Sequence, residues 1–199
     1  MRRSYFIAII SAIFFLVLFV QLGCSEEGKA KPKTHEEMVA LGKYLVHTSA
    51  CDDCHTPKIF TEDGRMILDT TRLLSGHPQD QMVPSLIKSA LKMDWIASNM
   101  GLTTWVGPWG VSYSANLTPD KATGIGTVTE EMFIKTMRDG KLKGVGRGLL
   151  PPMPWEVYRL KTDEDLKAMY AYLMSLKPIR NQVPLPVPPD KAESFLAAK

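Results

Sequence analysis

Apolar residues recur at the spacing of an amphipathic helix in three segments of the chain. The first segment begins after Thr34 and Glu37, which are spaced as a capping box, and runs toward His47. The second begins within residues 127–130 and runs to Gly140, a residue type that commonly ends helices. These two segments are predicted to be helices that bury one apolar face.

The third helical segment begins at Thr162, carries acidic residues in its first turn and ends before Pro178. Gly42 interrupts the first segment, where glycine costs about 1 kcal/mol relative to alanine. It therefore indicates either a close helix crossing or an ordinary tolerated glycine. Methionines on the helical faces are interpreted as core residues: Met132, Met137, Met169 and Met174.

The middle of the chain, residues 58–128, lacks such periodicity. Asp63 and Gly64 indicate a turn, and a helix is expected over residues 86–96 after Pro84. The glycine-rich stretch that contains Trp105, Trp109 and Tyr113 is predicted to be irregular. About 70 residues of this kind seldom stand alone in a compact domain, so a large bound group is expected to support them.

The N-terminus has the pattern of an export signal. Arg2 and Arg3 precede an apolar run of 16 residues, and Cys24 follows a glycine as in a bacterial lipobox, although Gln21 departs from that motif. An uncleaved anchor remains an alternative because the run is just shorter than the ~17–25 residues that span a membrane. A freely soluble mature protein is the third possibility. All three place the folded part outside the cytoplasm, on the periplasmic side of a bacterial membrane.

The predicted organisation has four parts. Residues 1–23 are a signal peptide or membrane anchor, 24–33 a tether, 34–178 the folded domain and 179–199 an extended proline-rich tail. From Cys24 onward the chain has 22 basic and 21 acidic residues. This near-neutral balance gives no electrostatic footprint for nucleic acid, so no nucleic-acid partner is expected.

Cys51, Cys54 and His55 spell C-x-x-C-H, the attachment signature of a c-type haem. Two thiols at this spacing can each bond one haem vinyl group, and the adjacent imidazole then becomes the proximal iron ligand. A zinc site would need two further ligands, and a thioredoxin-like dithiol would follow a strand. The sequence shows neither feature, so one covalently bound haem c is predicted.

The second axial iron ligand is predicted to be Met153. It lies in Pro151-Pro152-Met153-Pro154-Trp155, and prolines stiffen such a segment so that it can hold a thioether against iron. His77, which follows a glycine in a loop, is the rival, and an open site is the third possibility. His47 lies too close to Cys51 in sequence to reach the distal side.

Four motifs carry a resemblance to a known family: C-D-D-C-H-T-P at 51–57, W-G-V-S-Y-S-A-N-L-T-P-D at 109–120, G-I-G at 124–126 and M-P-W-E-V-Y-R-L-K-T-D-E-D-L at 153–166. Over about residues 41–184 the chain resembles class I-type cytochrome c domains, especially those in cytochrome subunits of bacterial membrane-bound sugar and alcohol dehydrogenases. The resemblance implies an all-α cytochrome c fold of about three to five helices around one haem. It also implies a proximal His55 and a distal Met153.

The expected function is electron transfer, with one haem iron cycling between Fe(III) and Fe(II) and no catalytic residues. The expected partners are a donor dehydrogenase and an acceptor oxidase or another cytochrome. A haem peroxidase or thiosulfate-type oxidoreductase is the alternative, and it would need an acid–base residue such as His77 beside the iron. A gas-binding sensor with a displaceable Met153 is a further alternative. Trp155 and Tyr113 are expected near the haem edge or in the core.

Overall fold

The computed structural model of the protein describes residues 31–84, 91 and 96–197. The chain divides into two units, Met1–Lys33 and Thr34–Lys199, and every element given below belongs to the second. The predicted leader, the lipobox Cys24, most of the tether and most of the helix expected at 86–96 lie outside the described residues. Within those residues no helix is long and apolar enough to cross a membrane.

Six α-helices occur in the described ranges, and three of them are the predicted ones. At the start of the first, the hydroxyl of Thr34 accepts the N–H of Glu37 at 3.2 Å, while the Glu37 carboxylate accepts the N–H of Thr34 at 2.7 Å. This confirms the capping box. Gly140 ends the third helix in the left-handed conformation, as predicted. The helices are α1 His35–Thr48, α2 Cys51–His55, α3 Glu130–Asp139, α4 Trp155–Tyr158, α5 Asp163–Ser175 and α6 Pro189–Ala197.

Five short strands accompany the helices, so the all-α prediction holds only in part. Two of them form an antiparallel hairpin around the predicted Asp63–Gly64 turn, with Ile59 opposite Ile67. The other three form an antiparallel sheet in the order β3-β4-β5. The strands are β1 Lys58–Phe60, β2 Met66–Leu68, β3 Ala97–Ser98, β4 Thr104–Gly107 and β5 Gly110–Tyr113.

The glycine-rich stretch around Trp109 is regular, and the prediction that it is irregular was wrong. Gly107 pairs with Gly110 across a two-residue turn that joins β4 to β5. Gly110 has φ +95°, which favours glycine, and a Cβ on Gly107 would lie 2.6 Å from the Trp109 ring. The glycines therefore permit a tight hairpin instead of breaking the structure.

The proline-rich tail is also more ordered than predicted, because residues Pro189–Ala197 form α6. Proline is favoured at the first position of a helix, where no N–H partner is needed. Ala192 and Leu196 are buried against β4 and β5 in a small second core. Before the helix, Val187 exchanges two backbone hydrogen bonds of 2.9 Å with Val111 of β5. The tail therefore covers the sheet.

The main core lies where α1 crosses α5. The crossing is close because Gly42 of α1 has no side chain: a Cβ there would lie 1.8 Å from the carbonyl oxygen of Ala168. Of the two interpretations of Gly42 that the sequence left open, the structure therefore favours the close helix crossing. The core beside it is built mainly from apolar residues of α1, α3 and α5, including Val46, Phe133, Met137, Leu166, Met169 and Leu173.

We expect Gly42→Ala to destabilise the fold by about 3 kcal/mol, because the added methyl group must push α1 and α5 apart. Urea unfolding followed by far-ultraviolet circular dichroism measures this change. Gly148→Ala is the matched control, since no atom lies within 4 Å of its added Cβ. Equal unfolding midpoints for the two variants would contradict the close crossing.

Candidate functional site

A large cavity lies between α2, β5, α3, α5 and the segment that precedes α4. It encloses about 1340 Å³ free of protein atoms, counting the part open to solvent. Its walls are mostly apolar and include Leu117, Val128, Phe133, Leu150 and Leu173. A cavity of this kind accepts a large, flat and mainly apolar group.

The C-x-x-C-H motif supplies one wall of this cavity. Ala50, with φ +57°, turns the chain from the end of α1 into α2. Cys51 and Cys54 are three residues apart on this short helix and so lie on neighbouring positions of one face. Cys51, Cys54 and His55 all line the cavity. The helix thus presents two thiols and one imidazole to the same space.

His55 is buried and held in one orientation. Its Nδ1 lies 2.7 Å from the carbonyl oxygen of Ala115, so Nδ1–H donates this hydrogen bond. The other ring nitrogen, Nε2, then carries the free lone pair. Burial lowers the pKa of His55 below its usual value, and the nearby Lys58 acts in the same direction. A neutral imidazole with a free Nε2 is the form that binds a metal ion.

Cys51 and Cys54 form no disulfide with each other. Burial raises the pKa of Cys51 to about 12, with the Asp52 carboxylate adding to the effect, and burial also raises the pKa of Cys54. A redox-active dithiol needs a lowered thiol pKa. Among the described residues, no group of three or more His, Cys, Asp or Glu side chains could hold a metal ion. The dithiol and zinc interpretations therefore gain no support.

Met153 lies in the segment before α4 and also lines the cavity. The strap that carries it, residues 150–154, is tied to the β4–β5 hairpin. The Ser112 hydroxyl donates to the carbonyl of Pro151 at 2.7 Å, and the Trp109 indole N–H donates to the Ser112 oxygen at 3.1 Å. This bracing holds the backbone of the segment that carries Met153.

A second hydrogen bond joins the two walls of the cavity. Just after the strap, Tyr158 of α4 is buried, and its hydroxyl donates to the carbonyl of Ser49 at 2.7 Å. Ser49 lies two residues before Cys51. The Met153 segment and the C-x-x-C-H segment, about 100 residues apart in sequence, are therefore held directly to each other.

Two further methionines line the cavity, Met137 and Met169, and both also belong to the main core. The prediction that they are core residues is confirmed. Met132, predicted to be a core residue, is exposed instead, because it lies on the outer face of α3. Met153 differs from Met137 and Met169 in lying outside a helix.

His77 does not line the cavity with Met153. It is buried elsewhere, with both ring nitrogens engaged: Nε2 lies 3.0 Å from the Gln81 carbonyl, and Nδ1 lies 2.7 Å from the Thr104 hydroxyl. His47 lies at the end of α1, where its Nδ1 contacts the Asp52 carboxylate at 2.7 Å. The structure therefore brings neither histidine to the position predicted for Met153.

Of the two aromatic residues expected near the haem edge or in the core, one lines the cavity and the other does not. Tyr113 lines the cavity and its ring centre lies 4.9 Å from that of His77. Trp155 is absent from the lining and instead lies against Gly140, with the Arg159 guanidinium 5.6 Å from its ring centre. Sequence reasoning missed four lining residues before the strap, Leu142, Lys143, Arg147 and Leu149. The basic residues among glycines at 143–148 are the signal that could have found them.

Known proteins resemble this chain over most of its length. The fructose dehydrogenase cytochrome subunit of Gluconobacter japonicus is 44% identical over 158 residues, which is 76% of this chain and 25% of that protein. The gluconate 2-dehydrogenase cytochrome c subunit of Pantoea cypripedii is 32% identical over 73% of this chain and 24% of its own length. The cytochrome c subunit of alcohol dehydrogenase (quinone) from Gluconobacter oxydans is 41% identical over 74% of this chain and 23% of its own length. No protein-family model matches the chain.

The resemblance carried by the sequence motifs is thereby confirmed: the chain is similar to a part of cytochrome subunits of fructose, gluconate and alcohol dehydrogenases. It spans about a quarter of the length of these curated relatives.

Proposed function

We propose that this chain, which is similar in sequence to part of dehydrogenase cytochrome subunits, is an electron-transfer protein that binds one haem c covalently. The observation that supports this most strongly is the convergence of Cys51, Cys54, His55 and Met153 on one apolar cavity. The donor set is the one that a c-type haem requires: two thiols, a neutral imidazole and a thioether. Both the chemistry of these residues and the size of the cavity fit a haem.

Each residue has a distinct part in this proposal. Cys51 and Cys54 would attach the haem, and His55, through Nε2, and Met153 would hold its iron. A haem held there supplies one-electron exchange between Fe(III) and Fe(II). The apolar walls exclude water, and a thioether favours Fe(II), so both features raise the reduction potential. The Ala115 carbonyl orients the imidazole through its hydrogen bond with Nδ1.

The enzymatic alternatives receive less support from the site. A peroxidase or thiosulfate-type oxidoreductase needs an acid–base group beside an open iron position. His77 is engaged at both nitrogens and is absent from the cavity lining. A gas sensor needs a Met153 that leaves readily, whereas the strap that carries Met153 is held to Ser112 through the carbonyl of Pro151. An electron carrier with both axial positions filled agrees best with these contacts.

The location and partners are part of the same proposal. The leader pattern supports a protein on the periplasmic side of a bacterial membrane, lipid-anchored through Cys24 or held by an uncleaved N-terminal segment. There it would accept electrons from a dehydrogenase and pass them to an oxidase or another cytochrome. The relatives support a partner of the dehydrogenase kind because they are themselves named as subunits of dehydrogenases.

Visible spectra of the purified full chain test the proposed function. We expect a low-spin six-coordinate haem spectrum in both oxidation states, and a weak red absorption band in the oxidised protein that indicates sulfur coordination of the iron. The haem should remain with the polypeptide after acid–acetone extraction, because thioether bonds survive it. A protein without haem, or with haem that extracts freely, would refute the proposal.

Cys24→Ala tests the lipid anchor. We expect the wild type to incorporate labelled palmitate and to sediment with membranes, and the variant to lose the label and either leave the membrane or remain unprocessed. Western blots of membrane and soluble fractions measure the distribution. An unlabelled wild type that still sediments with membranes would favour an uncleaved N-terminal anchor instead.

A further inference from the structure

A small loop forms part of the rim of the cavity. We call residues 141–148 the mouth loop. It closes on itself, since Lys141 and Gly148 form a β-bridge and the N–H of Leu142 donates to the carbonyl of Arg147 at 2.9 Å. Leu142, Lys143 and Arg147 line the cavity and are nevertheless exposed to solvent. The loop therefore lies where the cavity opens to the outside.

The mouth loop concentrates positive charge. It contains Lys141, Lys143 and Arg147 and no acidic residue. The remainder of the chain from Cys24 onward has 19 basic and 21 acidic residues, so its charge is slightly negative. A local positive field at one point of a nearly neutral protein attracts and orients a partner of opposite charge.

The tip of the mouth loop is apolar. Val145 is 80% exposed and Leu142 is 40% exposed. Val145 does not line the cavity, so a group bound in the cavity does not account for it. An exposed apolar centre within a charged rim is the arrangement found in protein–protein interfaces.

We propose that the mouth loop is the docking surface for a one-electron redox protein whose own surface is acidic around an apolar centre. The inference rests on the proposed function, because a partner seated on the rim lies beside the group held in the cavity. One electron passes between the partner's redox centre and the haem iron, so one centre is oxidised as the other is reduced. No proton or chemical group moves with it.

Substitutions at two residues of the loop allow an effect on docking to be distinguished from an effect on cofactor binding. Lys143 and Arg147 line the cavity, so their charges can also pair with the carboxylates of a bound haem. Lys141 and Val145 are absent from the lining, and their replacement changes the outer surface of the loop. We therefore choose Lys141→Glu and Val145→Ser as test variants. Lys191→Glu is the matched control, because it makes the same charge change at an exposed position of α6.

The experiment uses the full haem-loaded chain and a plant-type ferredoxin as probe. This strongly acidic one-electron carrier has a potential near −400 mV, low enough to reduce a c-type haem. Stopped-flow absorbance gives the second-order rate constant of haem reduction at several salt concentrations. We expect Lys141→Glu to lower the low-salt rate on the order of tenfold and to flatten its salt dependence. Val145→Ser should lower the rate at every salt concentration, while Lys191→Glu should leave it nearly unchanged.

Three results would overturn the docking proposal. The first is an equal loss of rate in Lys191→Glu, which would make net charge the cause. The second is unchanged rates in both loop variants. The third is binding to anionic phospholipid vesicles that Lys141→Glu abolishes while the ferredoxin rates stay the same, which would make the loop a membrane contact. An intact haem spectrum and potential in all variants would confine such a failure to docking, whereas a chain without haem would refute the proposed function itself.

Discussion

The double substitution of Cys51 and Cys54 by alanine should abolish covalent haem and leave a protein that unfolds at much lower temperature. The cavity walls include Phe133 and Leu173, and without a bound group these side chains face empty space or water. A ligand that binds only the folded state stabilises it, so its loss lowers stability. Because a large apolar cavity would remain, we expect a loss of roughly 5 kcal/mol.

Haem staining of a denaturing gel and a thermal melt measure the two parts of this prediction. The single variants Cys51→Ala and Cys54→Ala are the matched controls, since each keeps one thiol able to form a thioether. We expect both single variants to give a stained band and intermediate stability. A stained band from the double variant would contradict attachment through these two residues.

Met153→Ala should open the distal side of the iron, so that carbon monoxide or cyanide binds within the time of mixing. Met153→His should keep six ligands but lower the reduction potential, because imidazole favours Fe(II) less than a thioether does. We expect a fall on the order of 100 mV, within the roughly 0.8 V that axial ligands cover. Redox titration and visible spectra measure both effects.

Met137→Leu is the control for this series, because Met137 is a second thioether in the lining of the same cavity. The replacement conserves volume, so we expect a stability change below about 1.5 kcal/mol and an unchanged red absorption band. If Met153→Ala keeps the wild-type spectrum while Met137→Leu loses the band, then Met137 is the ligand. If neither variant changes the spectrum, Met169 is the remaining thioether to test.

The three long helices were predictable because their signals are local. Capping residues such as Thr34 and Thr162 act within four residues of the helix start, and apolar spacing reports the buried face. The cost of a glycine inside a helix made a close approach at Gly42 one of two possible interpretations, and the structure was needed to choose between them. The helices themselves require no knowledge of distant residues.

The β4–β5 hairpin and helix α6 were not predictable in the same way. The hairpin depends on two glycines, and glycine in a sequence can indicate either a tight turn or an interruption of regular structure. Here the pairing of Gly107 with Gly110 in the structure shows that they form a turn. Helix α6 has few residues and is buried against the sheet that contains this hairpin, together with Val83. Without the hairpin, the sequence offers no surface for α6 to pack on, so the helix was not predicted either.

The candidate site also contains some residues that were predictable from the sequence and others that were not. Cys51, Cys54, His55 and Met153 were predicted from motifs because their side chains carry the proposed chemistry, and the structure places all four on one cavity. The carbonyl of Ala115, which orients His55, belongs to the backbone and leaves no mark in the sequence. The bracing of the strap by Ser112 was missed as well, since a serine 39 residues away in the chain signals nothing by itself.

The hydrogen bond from Tyr158 to Ser49 has a consequence for the speed of electron exchange. It joins the segment that follows Met153 to the segment that precedes Cys51, and both ends belong to the protein rather than to any bound group. With His55 and Met153 as the proposed iron ligands, this contact would help to keep the spacing between imidazole and thioether the same when the iron gains or loses an electron. A coordination sphere that keeps its dimensions would have a small reorganisation energy, so each electron would cross with little nuclear rearrangement.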